Sequence, residues 1–327
     1  MSNDDRLMLR VARKEKLTDD VIGLTLVSQD GQPLPHWTPG SHIELALSLY
    51  RNGAAPASSD DVLLRQYSLC SDYRDQTQWQ VAVLREDSGR GGSRFIHKGL
   101  REGDTLQVSQ PRNLFPFAPR KKVLFIAGGI GITPMLPMIQ QADAEGIDWR
   151  LVYLARDRSR MSLLDRLTAY DSNRIRLNGD AEDGPLDLTA LLTECDADTS
   201  VYSCGPKGLL DALEGMAATQ DQWSLHIERF SGGDVDTRGN AFDVVINSTG
   251  QRLHIPEGRS VLSVLRENGF KIPSSCGDGV CGSCETGVLA GTPDHRDAVL
   301  SPEEKADNDY MMLCVSRALS DELVLDL

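Results

Sequence analysis

The sequence is short of several things, and each shortage excludes a class of function. Aromatic residues make up only 6% of its 327 residues, and no apolar run approaches the length of a membrane span. Basic residues are outnumbered, 34 Lys and Arg against 48 Asp and Glu, for a formal net charge of -14. A nucleic-acid binder must neutralise phosphates, so this balance speaks against one. The six histidines, His36, His42, His97, His226, His254 and His295, are scattered. They form no Cys-x-His pair for a mixed histidine–thiolate iron–sulfur centre and no two-His, one-carboxylate set for oxygen-activating iron. The start, Met1-Ser2-Asn3-Asp4-Asp5, is acidic rather than basic and then apolar, so a cytoplasmic location is expected. No G-x-G-x-x-G fingerprint follows the apolar run at 122–127, and no internal repeat is present.

Cysteine, by contrast, is concentrated. Cys276, Cys281 and Cys284 stand in one glycine-rich loop with C-x4-C-x2-C spacing, and Cys314 follows downstream. This is the spacing by which plant-type ferredoxins hold a [2Fe–2S] cluster. Two irons need four sulfurs converging on a small volume, and three come from a loop that must curl tightly. Gly277, Gly279 and Gly282 supply the positive φ and close approach that such a loop needs. A structural zinc knot would show two short Cys/His pairs, which this is not. A disulfide loop fits poorly in a chain with no signal peptide. Cys70, Cys195 and Cys204 remain, an odd number that suits a reducing compartment. The C-terminal part is acidic, with Glu303, Glu304, Asp307 and Asp309. A solvated surface is the simpler account; electrostatic steering of a basic partner is the sharper one.

Three patterns follow one another along the chain. Residues 1–117 read as a small antiparallel β-barrel: short strands with frequent turns, and a Gly/Ala/Pro/Ser/Asp-rich loop from Arg51 to Asp61. Two of its stretches carry chemistry. One is Arg65-Gln66-Tyr67-Ser68. The other is Gly89-Arg90-Gly91-Gly92-Ser93, which opens a helix and could cradle a phosphate. Residues 118–231 alternate strand and helix, the pattern of an α/β parallel sheet whose ligands bind beyond the carboxyl ends of the strands. Three such ends are unusual: Gly128 to Thr133, Arg156-Asp157, and Cys204-Gly205-Pro206. A helix is expected around Leu163 to Tyr170. Residues 232–240 read as a linker, and 241–327 as a β-grasp ferredoxin domain of hairpin, helix and cluster loop.

Together, these motifs resemble the phthalate dioxygenase reductase family, over essentially the whole chain. Asp294-His295-Arg296-Asp297 and the end Leu323 to Leu327 share the likeness. The resemblance implies an FMN domain, an NAD domain and a C-terminal [2Fe–2S] domain, serving a Rieske-type terminal oxygenase component as electron acceptor. It also implies a monomer. It would place Arg65 on the FMN phosphate, with Gln66, Tyr67 and Ser68 along the flavin. Ala82, Val83 and Leu84 would face the ring with their backbone, and Gly91, Gly92 and Ser93 would form the phosphate loop. Gly129, Thr133, Arg156, Asp157, Cys204, Gly205 and Pro206 would serve the nicotinamide nucleotide, and Phe230 would cover the flavin. Thr133, Cys204 and Phe230 are the expected residues at the hydride-transfer site. Asp157 would favour the ribose hydroxyls of NADH, while Arg156 leaves NADPH open. FMN is expected over FAD, since nothing obvious would hold an adenosine. A cytochrome P450 as acceptor, and a non-enzymatic redox sensor, are the rival readings.

Overall fold

The computed structural model describes residues 6–48, 62–89, 91–231 and 238–327. The expected 51–61 loop, Arg90 and most of the expected linker lie outside the described residues. The chain forms two compact units, one running to Arg229 and the other from Phe230 to Leu327.

The first unit begins with an antiparallel barrel. Its strands are β1 (Leu7–Lys16), β2 (Val21–Ser28), β3 (Ser41–Ser48), β4 (Val62–Ser68) and β5 (Trp79–Leu84), then β6 (Thr105–Val108) and β7 (Arg112–Asn113), with α1 (Gly92–Lys98) between β5 and β6. The order is β4-β3-β6-β1-β2-β5, with β7 added to β3. A bridge between Leu69 and Val81 nearly closes the ring. Alternation in β3 sends Ile43, Leu45 and Leu47 inward, as the pattern requires. The polar side of that strand is buried as well: Glu44 pairs with Arg6, and the Glu44 amide donates to Ser109 Oγ at 2.9 Å.

A five-stranded parallel sheet follows: β8 (Lys122–Gly128), α2 (Ile132–Ala144), β9 (Asp148–Ala155), β10 (Ile175–Gly179), α3 (Asp180–Asp183), α4 (Leu188–Leu192), β11 (Thr199–Cys204), α5 (Lys207–Ala217) and β12 (Ser224–Glu228). The order β10-β9-β8-β11-β12 reverses direction between β8 and β11. That switch point opens a crevice beyond the strand ends. The run Val123 to Ala127 is apolar throughout because β8 is central and covered on both faces. Barrel residues Val21, Cys70, Ala82 and Phe115 join Ile132, Met135 and Met138 of α2 in one core, so barrel and sheet are a single packed body. The helix expected around 163–170 is instead a short 3₁₀ turn, Leu164–Leu167. Leu163 sits at φ 61°, a left-handed conformation that no α-helix can include.

The second unit is β13 (Phe242–Ile246), β14 (Arg252–Ile255), α6 (Val261–Glu267), β15 (Glu285–Ala290), β16 (Pro293–Asp294), α7 (Pro302–Asp307), β17 (Tyr310–Met312), β18 (Arg317–Ala318) and β19 (Glu322–Leu325). The main sheet runs β14-β13-β19-β15-β17, and β16 and β18 make a separate pair. β13 and β19 are parallel and central, and α6 packs its apolar face into their core. Ser260 caps α6 by accepting from the Ser263 amide, and Gly269 ends it at φ 87°. Ser301 and Glu304 form a capping box at the start of α7.

Gly131 reports on how tightly the switch point is built. A Cβ there would lie 2.1 Å from the Cys204 carbonyl oxygen. Gly131→Ala is therefore expected to cost about 1–3 kcal/mol, the usual range for overpacking. Thermal unfolding followed by calorimetry would check it; an unchanged midpoint would show that the two strand ends are not in contact.

Candidate functional site

Three groups of residues stand out, two in the first unit and one in the second. The first joins the two barrel motifs. Arg65 on β4 and Gly92 at the start of α1 are brought into contact: a Cβ on Gly92 would lie 2.8 Å from Arg65 Cγ and 2.9 Å from its Nε. Only glycine lets the guanidinium stem lie across this turn. Gly91 precedes it at φ 94°, and Ser93 Oγ accepts from the Glu86 amide at 3.0 Å, fixing the loop's entry. A cation and a turn of exposed amides are the chemistry of a phosphate site. Beside them, Tyr67 is held neutral, its phenol raised far above the ordinary value by burial against the nearby Arg65 charge. Gln66 Nε2 is buried with no hydrogen-bond partner among the described residues, a donor that a bound group could take. β5 ends the sheet path, so the outer edge of Ala82, Val83 and Leu84 faces no further strand; the Val83 carbonyl meets His97 Nε2 at 2.9 Å. A planar heterocycle with a phosphate tail fits this edge, turn and cation.

The second group sits at the switch point. Gly128 and Gly205 pack backbone to backbone: a Cβ on Gly205 would lie 2.9 Å from Gly128 Cα, and one on Gly128 would lie 2.6 Å from Pro206 Cδ. Gly129 adopts φ 57° and faces open space. Thr133 is buried, and its hydroxyl donates to the Ile130 carbonyl at 2.9 Å, leaving it only as an acceptor for a ligand. Register sets Ala127, Cys204 and Glu228 side by side at the ends of β8, β11 and β12. Cys204 is fully buried, and burial, with the Glu228 charge, pushes its thiol well above the ordinary range. It is a packing thiol rather than a nucleophile.

Glu228 was not singled out in the sequence, although it ends a strand at the ligand side of the sheet. Ser68 Oγ lies 3.5 Å from Glu228 Oε2, so this carboxyl links the barrel motif to the strand ends. It keeps some exposed area but is closely surrounded, and burial pushes its pKa to about 8, with the Ser68 contact opposing. Arg156 and Asp157 follow β9. Arg156 is exposed, and Asp157 already accepts from Ser159 Oγ and, at 3.1 Å, from Arg160 Nε. The Ser159 hydroxyl and then Arg160 hold its carboxyl below the usual range. Phe230, two residues after β12, is 43% exposed and is counted with the second unit.

The third group is the cysteine loop. Gly277, Gly279 and Gly282 all take positive φ, at 74°, 72° and 68°. A Cβ on Gly279 would also strike Val315 Cγ2 at 2.6 Å. The turn brings the four sulfurs together: Cys281 within hydrogen-bonding reach of Cys276, and Cys314 of both Cys276 and Cys284. Two amides already point at sulfur, Asp278 N at 3.2 Å from Cys276 Sγ and Cys276 N at 3.5 Å from Cys281 Sγ. The neighbouring Cys276 thiol, and then burial, push Cys281 far above the ordinary thiol range. Four crowded, half-buried or buried thiolates are untenable without compensating cations, which is what a metal centre supplies. Among the described residues no three His, Cys, Asp or Glu converge as a single-ion site. The C-x4-C-x2-C spacing with one distant cysteine suits a two-iron cluster better than one zinc.

Comparison with known proteins agrees with this geometry. A family described as "2Fe-2S iron-sulfur cluster binding domain" matches residues 244–319. The carnitine monooxygenase reductase subunit of Escherichia coli (strain K12) is 38% identical over 332 residues, covering 100% of both chains. A solved structure titled phthalate dioxygenase reductase, "a modular structure for electron transfer from pyridine nucleotides to [2Fe-2S]", is 37% identical with a TM-score of 0.70, covering 99% of this chain and 98% of that one. An intact type IV self-sufficient cytochrome P450 monooxygenase is 40% identical with a TM-score of 0.87 over 98% of this chain. There, however, the chain spans only 41% of the other protein's length.

The Glu228 carboxyl carries a sign that can be measured. Its folded pKa of about 8 lies above the ordinary carboxyl value of 4.5. Between those values the unfolded chain has lost a proton that the folded chain keeps. Stability from this group is therefore lost as pH rises through that window. Glu228→Gln should flatten this part of the pH–stability curve, read by denaturant midpoints from pH 5 to 9 (roughly the window of the shift). An unaltered slope would mean that the carboxyl is ionised in the folded protein.

Proposed function

The chain belongs to the phthalate dioxygenase reductase family, and from that premise we propose that it is the NADH-dependent reductase of a Rieske-type oxygenase system. It is an electron-transfer oxidoreductase with a [2Fe–2S] domain. When bound, FMN would accept the hydride of NADH and release electrons singly to the cluster, which passes them to the terminal oxygenase. The observation that carries this reading is the full-length likeness to a reductase together with three sulfurs of one glycine turn meeting a fourth, that of Cys314.

The residues divide the work. Arg65 and the turn of Gly91, Gly92 and Ser93 hold the FMN phosphate. Gln66, Tyr67, Ser68 and the edge of Ala82, Val83 and Leu84 line the ring, and Phe230 covers it. Gly129, Thr133, Cys204, Gly205 and Pro206 shape the crevice that receives the nicotinamide, where closely packed backbone excludes water. Arg156 and Asp157 meet the ribose, whose hydroxyls must replace Ser159 or Arg160 on the Asp157 carboxylate. Glu228, protonated at neutral pH, places a neutral donor beside Ser68 and Cys204 in place of a charge. Cys276, Cys281, Cys284 and Cys314 ligate the cluster. The domain limits follow the same division: 1–117 for FMN, 118–231 for NAD, 232–240 as linker and 241–327 for the cluster. The three cysteines outside the cluster set, Cys70, Cys195 and Cys204, form no disulfide, which supports a reducing, cytoplasmic setting. Among the described residues no helix is long and apolar enough to cross a membrane. We take the protein to be a monomer.

A cytochrome P450 as acceptor is the second and less supported reading; it rests on the match to part of a self-sufficient P450 monooxygenase. Electron delivery to each purified acceptor separates the two. For the reading as a whole, flavin extraction with iron and sulfide analysis should give one FMN and one [2Fe–2S] per chain. Zinc, or no flavin, would end it.

Two substitutions test the division of work. Cys281→Ser should reduce electron delivery to a protein acceptor to background while NADH still bleaches the flavin. Loss of flavin bleaching as well would show that the two halves are not separate. Arg65→Ala removes a charge-assisted contact worth about 1.5–3 kcal/mol, so FMN should bind roughly 10–100-fold more weakly, with NADH binding little altered. Equal loss of both ligands would remove Arg65 from the phosphate.

A further inference from the structure

Arg317 is out of place by composition. It stands three residues after Cys314, is 1% exposed and ranks among the largest fully buried side chains of the described residues. Among the described residues no carboxylate forms an ion pair with it; its partners are neutral. It donates to the Arg259 carbonyl, to Asn240 O at 2.9 Å and to Pro256 O at 3.2 Å, and it lies 5.1 Å above the Phe242 ring centroid. Burial pulls its pKa below the ordinary arginine value. A buried cation that donates only to carbonyls and a ring, with the Arg296 charge opposing it and the Asp294 and Glu257 charges acting on it without an ion-pair contact, is costly, so its position needs a reason.

Arg296 supplies one. Asp294 grips its guanidinium, with Nε–Oδ2 at 2.9 Å, and turns it so that Nη1 donates to the Arg238 carbonyl at 2.7 Å. Gly239 lies between the two arginines at φ 142°; a Cβ there would be 3.2 Å from Arg317 Nε and 3.3 Å from Arg296 Nη2. Arg238, Gly239 and Asn240, which precede the first strand of the second unit, thus each meet one or both cations.

The same residues are tied to the cluster loop. The backbone of Arg317 on β18 stands opposite that of Asp294 on β16. The Arg296 amide donates to Ser316 Oγ at 3.3 Å, and Ser316 Oγ donates to Asp297 Oδ1 at 3.4 Å. The buried Asp297 carboxylate also accepts from the amides of Val299 at 3.1 Å and Leu300 at 2.9 Å. The neighbouring Ala298 amide donates to Gly279 O at 2.9 Å, inside the cysteine loop. A continuous path therefore runs from residues 238–240 to the back of the loop and to the segment bearing Cys314.

We propose that Arg296 and Arg317 clamp residues 238–240 onto the cluster-bearing segment and so position the cluster for the electron it receives from the flavin. This rests on the NADH–flavin–cluster reading above. Electron transfer falls steeply with distance. Three residues pinned to the domain are three residues not available as tether, and the pinned end is held to the ligand segment itself. Both arginines act through position and touch neither cofactor.

The test uses the full-length holoprotein with Arg296→Gln, which removes the donor to Arg238, and Gly239→Ala, which wedges the clamp from the chain side. Limited trypsin digestion reads the clamp directly. Cleavage after Arg238 should quicken about tenfold in both variants, equivalent to about 1.4 kcal/mol of lost local protection. Anaerobic stopped-flow reads the consequence: flavin bleaching by NADH should keep its rate while cluster bleaching slows about tenfold or more, with the cluster's electron paramagnetic resonance signal unchanged. Arg296→Lys, which keeps a donor, should recover part of both effects. Unchanged cleavage would overturn the clamp. Faster cleavage with unchanged cluster reduction would overturn its positioning role. If the wild-type protein passed no electron from flavin to cluster, the functional reading would fall, while the digestion would still decide whether the clamp exists.

Discussion

Four sulfurs held within contact of one another, largely out of water, are the constraint on which the second unit is built. Thiolates this close repel, and thiols this buried resist ionising; Cys281 shows both effects. The arrangement is stable only if the fold forces it and a multivalent cation compensates it. The forcing is done by three positive-φ glycines, by the Val315 side chain against Gly279, and by a hydrogen bond from Ala298 that fastens the loop from behind. The hydrophobic core under the loop, built from β13, β19 and α6, then holds Cys284 and Cys314 as part of its own packing.

The first unit is built on a different constraint, close approach of backbone. At the switch point Gly128 and Gly205 touch, Gly131 abuts the Cys204 carbonyl, and in the barrel Gly92 lies under Arg65. Where side chains are absent, the ligand surface is made of amides and carbonyls, which are rigid and carry fixed dipoles. That suits a reaction that needs rings stacked and water kept out more than it needs an acid or base. The titratable groups agree: the Cys204 thiol is held neutral and the Glu228 carboxyl is pushed to about 8, so the crevice holds little charge at neutral pH.

Barrel and sheet share a core through Val21, Ala82, Phe115 and α2, which fixes the edge proposed for the flavin relative to the crevice proposed for the nucleotide. Ion pairs add to this, with Arg160 bridging Asp157 and Asp20. They are exposed and contribute little stability on their own. Their effect is geometric, since Arg160 couples the residue expected to meet the ribose to the barrel.

Short-range signals were readable directly. The cysteine spacing, the apolar β8 run and the glycines at its end each depend on a few neighbouring residues, and the structure folds the run into a strand and gives the cysteine-loop glycines positive φ, as the sequence implies. Local rules failed where distant residues intervene. The turn at Leu163 to Leu167 has the composition of a helix, but Leu163 takes a left-handed conformation and Arg166 is drawn to Gln80 of the barrel. Glu228 and Arg317 were not singled out, because nothing near them in the chain announces burial. The sequence alone determined which chemistry the chain can do, since ligand identity and spacing are properties of neighbouring residues. Only the tertiary structure decided which charges are neutralised, which strand ends meet and where residues 238–240 are pinned, because desolvation and register depend on residues distant in the chain, as Ser68 and Glu228 are.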